Sequence, residues 1–175
     1  MKTIKILILI GFFAGLLSCS KDDTEKISNP DVETYIELLK ANQYDSFKLP
    51  EFSADDIPAL LQYINDFSVV NKFPSNPISS YAEPNPDYRL SVLVLWTIES
   101  IRLAAMDNKL VLGFASQNPF VQTKSEPIEW LTDHDSEIYN TIRQAYSNWW
   151  NENKHKKFSI FYNIDPLLET EYRWH

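Results

Sequence analysis

Three constellations in this sequence place side chains able to do chemistry close together along the chain. Glu99 and Arg102 stand three residues apart in a stretch that is otherwise apolar, and at helical spacing they share a face. A carboxylate held in a low-dielectric site is a tuned acid or base. The same two residues can equally be a structural pair, each charge neutralising the other and bonding loop backbone. Asp133, His134 and Asp135 offer metal-type ligands, but adjacent side chains rarely converge on one ion, and a helix starting after Asp135 gives that residue the work of an N-cap. His155 and His175 are isolated. Trp149 and Trp150 occupy successive helix positions and cannot share one azimuth. An exposed ring there binds a sugar or a partner protein, whereas a covered one packs under Phe158, Phe161 and Tyr162.

Common hydrolase signatures are missing: there is no HExxH, no G-x-S-x-G elbow and no cysteine placed as a nucleophile. Glu99 has no nucleophile or second carboxylate at catalytic spacing. The sequence therefore assigns no catalytic residue, no metal ligand and no cofactor. It reads Glu99 and Arg102 as a structural pair that holds a proline-rich strap, residues 73–80, on the helix below. Two classes of function stay open. The favoured one is a non-enzymatic binding module for a partner protein or a glycan, using Trp149, Trp150, Phe73 and Tyr81 on a helical surface; the other is a hydrolase with a site around Glu99 and Arg102.

These residues are positioned by residues 87–106, whose apolar side chains go all the way round a helix axis, the mark of a helix buried on every side. Arg89, Glu99 and Arg102 make it too polar to span a bilayer, and Asn85, Pro86 and Asp87 supply start signals. Around it the periodicity predicts helices over residues 30–42, capped by Asn29 and Pro30, over 54–67, opening with a capping box at Ser53, and over 136–152. The first two make an antiparallel hairpin similar to a HEAT-type repeat. Prolines 74, 77, 84 and 86 forbid regular helix between Phe67 and Asp87, so Phe73, Ile78 and Tyr81 seal the end of the central helix or wait for a ligand. Residues 115–135 read as irregular, with a short extended piece before them at 110–114, and the aromatic tail wraps back over the body.

The chain opens with Lys2 and Lys5 ahead of an apolar run, residues 6–17, and then Leu16-Leu17-Ser18-Cys19. This is a signal peptide with its cleavage site. The tetrapeptide resembles the bacterial lipobox, which implies acylation of Cys19, the only cysteine of the 175 residues, and a membrane anchor that does not span. Lys21, Asp22 and Asp23 resemble the export signal that sends Bacteroidetes lipoproteins to the outer face of the outer membrane. The expected organisation is signal peptide over 1–18, acylated cysteine and flexible tether over 19–28, and a single domain over 29–175. Cleavage removes two of the 16 basic residues and none of the 24 acidic ones, deepening the net charge from −8 to −10. That balance repels phosphate backbones, so nucleic acid is not an expected partner. Of three glycines only Gly113 survives cleavage, and tight primed hairpins and phosphate loops both need glycine. By elimination the domain reads as mainly all-α, a compact bundle of antiparallel helix pairs, part α-α superhelix, with long irregular proline-rich connections.

The segment Phe73-Pro74-Ser75-Asn76-Pro77-Ile78-Ser79-Ser80, then Tyr88-Arg89-Leu90 leading into Leu95-Trp96-Thr97-Ile98-Glu99-Ser100-Ile101-Arg102, then Trp149-Trp150, Asp165-Pro166-Leu167 and Tyr172-Arg173-Trp174-His175, resembles a family of small Bacteroidetes lipoproteins with a domain of unknown function. The resemblance covers most of the mature chain. It implies an outer-membrane address and a helical fold, and it transfers no catalytic residue. Glu169 and Glu171 stand where that pattern has a small residue.

Overall fold

The computed structural model describes residues 29–74, 88–106, 113–131 and 136–175. The expected signal peptide, Cys19, the tether, Tyr81, most of the proline-rich strap and residues 133–135 lie outside them. No helix among the described residues is long and apolar enough to cross a membrane.

Helix α1 (Val32–Lys40) buries Val32, Tyr35, Ile36 and Leu39, one stripe at helical spacing. Its cap is Asp31, whose carboxylate accepts from the Thr34 N–H at 2.8 Å. Asn29, expected to cap, instead accepts from the Glu51 N–H. The Ser53 capping box is present, but the second helix is shorter than expected: a 3-10 turn (Ala54–Asp56), one α turn, α2 (Ile57–Leu60), and another 3-10 turn (Leu61–Tyr63). Beyond it Asp66 bends the chain, its Oδ1 accepting from both the N–H and the hydroxyl of Ser68, a local bond that competes with helix. The chain then runs extended through β1 (Val69–Val70), antiparallel to β2 (Tyr88–Arg89).

That short ladder explains why the central helix, α3 (Leu90–Ala105), starts later than the sequence suggested. Its first N–H groups need acceptors. The carbonyls of Ser68 and Asp66 provide them, taking Leu90 N–H and Ser91 N–H at 2.9 Å each. Every residue from Leu90 to Arg102 is buried, so α3 is the axis of the core. Helix α4 (Ser136–Asn153) packs on it through Tyr139, Ile142, Tyr146 and Trp149, and Phe161 and Leu167 of the following segment close the core from outside.

A three-stranded antiparallel sheet, in the order β4-β3-β5, joins β3 (Val121–Thr123), β4 (Trp130–Leu131) and β5 (Tyr172–Trp174). The fold is therefore mixed helix and sheet, not the all-α bundle or HEAT-like superhelix expected from the sequence. Scarcity of glycine did not exclude strands, because neither connection is a tight turn. Between β3 and β4 a wide loop is stitched by Thr123, whose Oγ1 accepts from the Glu129 N–H at 2.9 Å. Strand β5 arrives from the far end of the chain and pairs without any hairpin.

Candidate functional site

Two places gather polar and aromatic side chains. The first is the buried face of α3. Arg102 donates to Glu99 through two nitrogens, Nε to Oε2 at 2.9 Å and Nη2 to Oε1 at 2.6 Å, and both side chains are almost fully buried. Tyr146 of α4 donates its hydroxyl to the same Oε2 at 2.8 Å. Trp174 of β5 donates its indole N–H to the Tyr146 oxygen, also at 2.8 Å. Arg102 Nη1 donates to the Tyr162 carbonyl at 3.0 Å. The described partners of the pair lie on α4, the C-terminal segment and Met106 at the end of α3; strap residues 75–80, to which the expected contact belongs, lie outside the described residues. Phe73, one of the two strap residues that are described, packs at 5.7 Å from Trp96 and 6.2 Å from Tyr88.

Burial pushes the Glu99 carboxyl above the ordinary carboxylate range, against the hydrogen bonds and charge of Arg102 and the hydroxyl of Tyr146. Asp165 adds the smallest push, and its own Oδ1 accepts from the Leu167 N–H. Burial also works against the Arg102 charge, yet Glu99 holds its pKa up. Both Glu99 oxygens are occupied, and the bonds run in one direction from Trp174 through Tyr146 to the carboxylate. Such an arrangement cross-links three elements and engages both carboxylate oxygens inside the core.

The second place is the outer face of the three-stranded sheet. Val121 lies opposite Leu131 and Trp174, whereas Gln122 lies opposite Trp130 and Arg173. Alternation sends the first set to the core and the second outward. Trp130 is 57 % exposed. With the Gln122 amide turned so that its oxygen faces Arg173, the guanidinium donates to it at 3.0 and 3.2 Å. Next along the same face, His175 stacks on Phe120 at 4.7 Å and meets the edge of Trp130 at 5.0 Å. Asn118 Nδ2 lies 2.8 Å from His175 Nδ1. Burial lowers the pKa of His175, so at neutral pH the ring is uncharged and the Asn118 amide, donating to Nδ1, leaves its proton on Nε2. An exposed indole therefore stands beside an amide, a guanidinium and an oriented imidazole.

Sequence reasoning missed this face. The available signal was a period of two in Phe120-Val121-Gln122-Thr123 and again in Tyr172-Arg173-Trp174-His175, too short to stand out from aromatic irregularity. The tryptophans it singled out lie elsewhere. Trp149 is buried, 5.3 Å from Phe161, with its indole N–H buried and unpartnered. Trp150 is half-buried, 6.0 Å from Phe161. Among the described residues no three His, Cys, Asp or Glu side chains are grouped to hold a metal ion.

The fold and its aromatic face define a domain whose biochemical role is unassigned. The chain belongs to the family described as domain of unknown function DUF4943, whose model matches residues 26–175. No curated protein and no solved structure matches it.

Proposed function

We propose that this protein is a non-enzymatic binding module of the cell envelope, anchored to the outer membrane by lipid on Cys19 and facing outward, which binds a glycan on the outer face of the β4-β3-β5 sheet. The observation that carries the reading is Trp130, exposed beside Gln122, Arg173 and His175. A flat indole presents its face to the C–H side of a sugar ring and has little rotamer freedom to lose. The planar amide, guanidinium and imidazole beside it suit the ring hydroxyls, which need donors and acceptors at fixed angles. The sheet backbone holds these groups in place, so binding requires little reorganisation. The alternative of a hydrolase around Glu99 and Arg102 draws no support from a carboxylate whose two oxygens are both engaged.

Binding of the acylated protein to a panel of soluble bacterial and plant polysaccharides, followed by calorimetry on those retained, tests the proposal. Trp130→Ala is expected to weaken binding at least about tenfold, equivalent to ~1.4 kcal/mol, without moving the melting temperature. Binding that survives both Trp130→Ala and Arg173→Ala sinks the assignment of the face. A partner protein captured by the wild type and lost with Trp130→Ala keeps the module and replaces the glycan.

A further inference from the structure

Between α4 and β5 the chain exposes three large aliphatic side chains: Ile160 (62 %), Ile164 (43 %) and Leu168 (62 %). They recur at every fourth residue along a run of short turns. Those turns are closed by N–H groups of Ile160, Ile164 and Leu168 bonding the carbonyls three residues back. Phe161 and Leu167, on the same run, are buried, so the segment has one face in the core and one apolar face in solvent. Immediately before it, Lys154, His155, Lys156 and Lys157 are all exposed. From Lys154 to Ile164 there is no acidic residue, in a chain of net charge −8. Lys154 and Lys156 donate only to neutral groups, the side-chain oxygens of Asn151 and Asn153. Among the described residues none of these lysines forms an ion pair. Lys156, Ile164 and Leu168 border one groove, which Glu152, Asp165 and Glu169 also line.

Exposed aliphatics next to unpaired lysines are the composition of a face that rests in a lipid interface, apolar groups entering the headgroup boundary and ammonium groups meeting anionic headgroups. We infer that residues 154–168 form the face on which the domain lies against an anionic bilayer surface. This inference rests on the reading of Cys19 as the anchor. Ten residues from Cys19 to Asn29 reach at most about 35 Å, so a tethered domain stays within contact of the surface, where even a weak face is occupied by effective concentration. The charges act locally because an exposed charge is screened beyond about 8 Å at physiological salt, so of the acids only those in or beside the segment, Glu152, Asp165 and Glu169, are set against Lys154, Lys156 and Lys157.

The test uses the acylated full-length product in vesicles. With Cys19 acylated, a cysteine introduced at Ile160 is the sole free thiol and accepts an environment-sensitive fluorophore; Ser125→Cys, on the exposed β3–β4 loop, is the control. In phosphatidylglycerol-containing vesicles the label at 160 is expected to shift to the blue and to be quenched by spin-labelled lipid, and the label at 125 is not. Pure phosphatidylcholine should weaken the contact, and Lys156→Gln with Lys157→Gln should lower its occupancy equilibrium roughly 25-fold, about fivefold per lysine. Flotation reports the anchor separately. Protein that floats while both labels stay in water overturns the face and leaves the anchor, as does quenching at 160 that ignores headgroup charge and the lysine substitutions. Protein that fails to float even with anionic vesicles at low salt overturns both.

Discussion

The indole N–H of Trp174 donates to the hydroxyl oxygen of Tyr146 at 2.8 Å, and the same hydroxyl donates onward to Glu99 at 2.8 Å. One oxygen thereby couples β5 and α4 to α3. Tyr146→Phe leaves the Trp174 N–H without its acceptor and Glu99 Oε2 one donor short. Hydrogen bonds to charged groups contribute ~1.5 to 3 kcal/mol, so chemical denaturation should show a loss of about that size with an unchanged m-value. A Tyr146→Phe variant as stable as wild type would mean that water replaces both bonds.

Arg102→Met should cost more. It strands a buried carboxylate whose remaining partner is Tyr146, and breaking a buried pair typically costs ~3 to 5 kcal/mol. Glu99→Gln combined with Arg102→Met should recover part of the loss, because no full charge is left unpaired. Thermal melts of the two single variants and the double variant give the coupling directly; single variants that melt like wild type would place both charges in solvent.

Stability should fall on the acid side through Asp66. Burial pushes its carboxyl up, but the Lys40 ammonium and the hydroxyl and N–H of Ser68 outweigh it, and its pKa lies below the ordinary 3.8. A depressed folded value means that the stabilisation is complete above the unfolded pKa and is lost as pH falls through the folded one. Lys40, raised by the same contact, contributes in the opposite direction, its share being lost as pH rises through its folded value. Asp66→Asn should flatten both limbs of a stability–pH curve, and limbs that keep their slopes would assign the contact no weight.

Cys19→Ala should block processing and leave a precursor of higher mass that no longer takes up labelled fatty acid. Cleavage at the same bond with unchanged outer-membrane fractionation would remove the anchor. Protease added to intact cells tests the outward orientation separately.

The helices were legible where their burial repeats at helical spacing: Val32, Tyr35, Ile36 and Leu39 in α1, and the apolar circumference of α3. Ladders two or three residues long leave no such trace, and their partners lie far apart in sequence. Tyr88 and Arg89 look like the start of a helix until Val69 and Val70 are placed beside them. Gln122 becomes part of an aromatic face only when Trp130 and Arg173 flank it. Glu99 and Arg102 were conspicuous because charge is rare on an apolar helix, but nothing in the spacing pointed to Tyr146 and Trp174, which reach them across the fold.

Because α3 receives its first hydrogen-bond acceptors from Ser68 and Asp66, and its buried carboxylate receives a donor from Tyr146, itself held by Trp174, its surroundings come from both ends of the domain. On a ribosome, the part of the chain that ends with α3 would hold an apolar helix covered only on the side of α1 and α2 and an ion pair without the Tyr146 donor. The core around α3 is therefore complete only once α4 and the C-terminal segment are present.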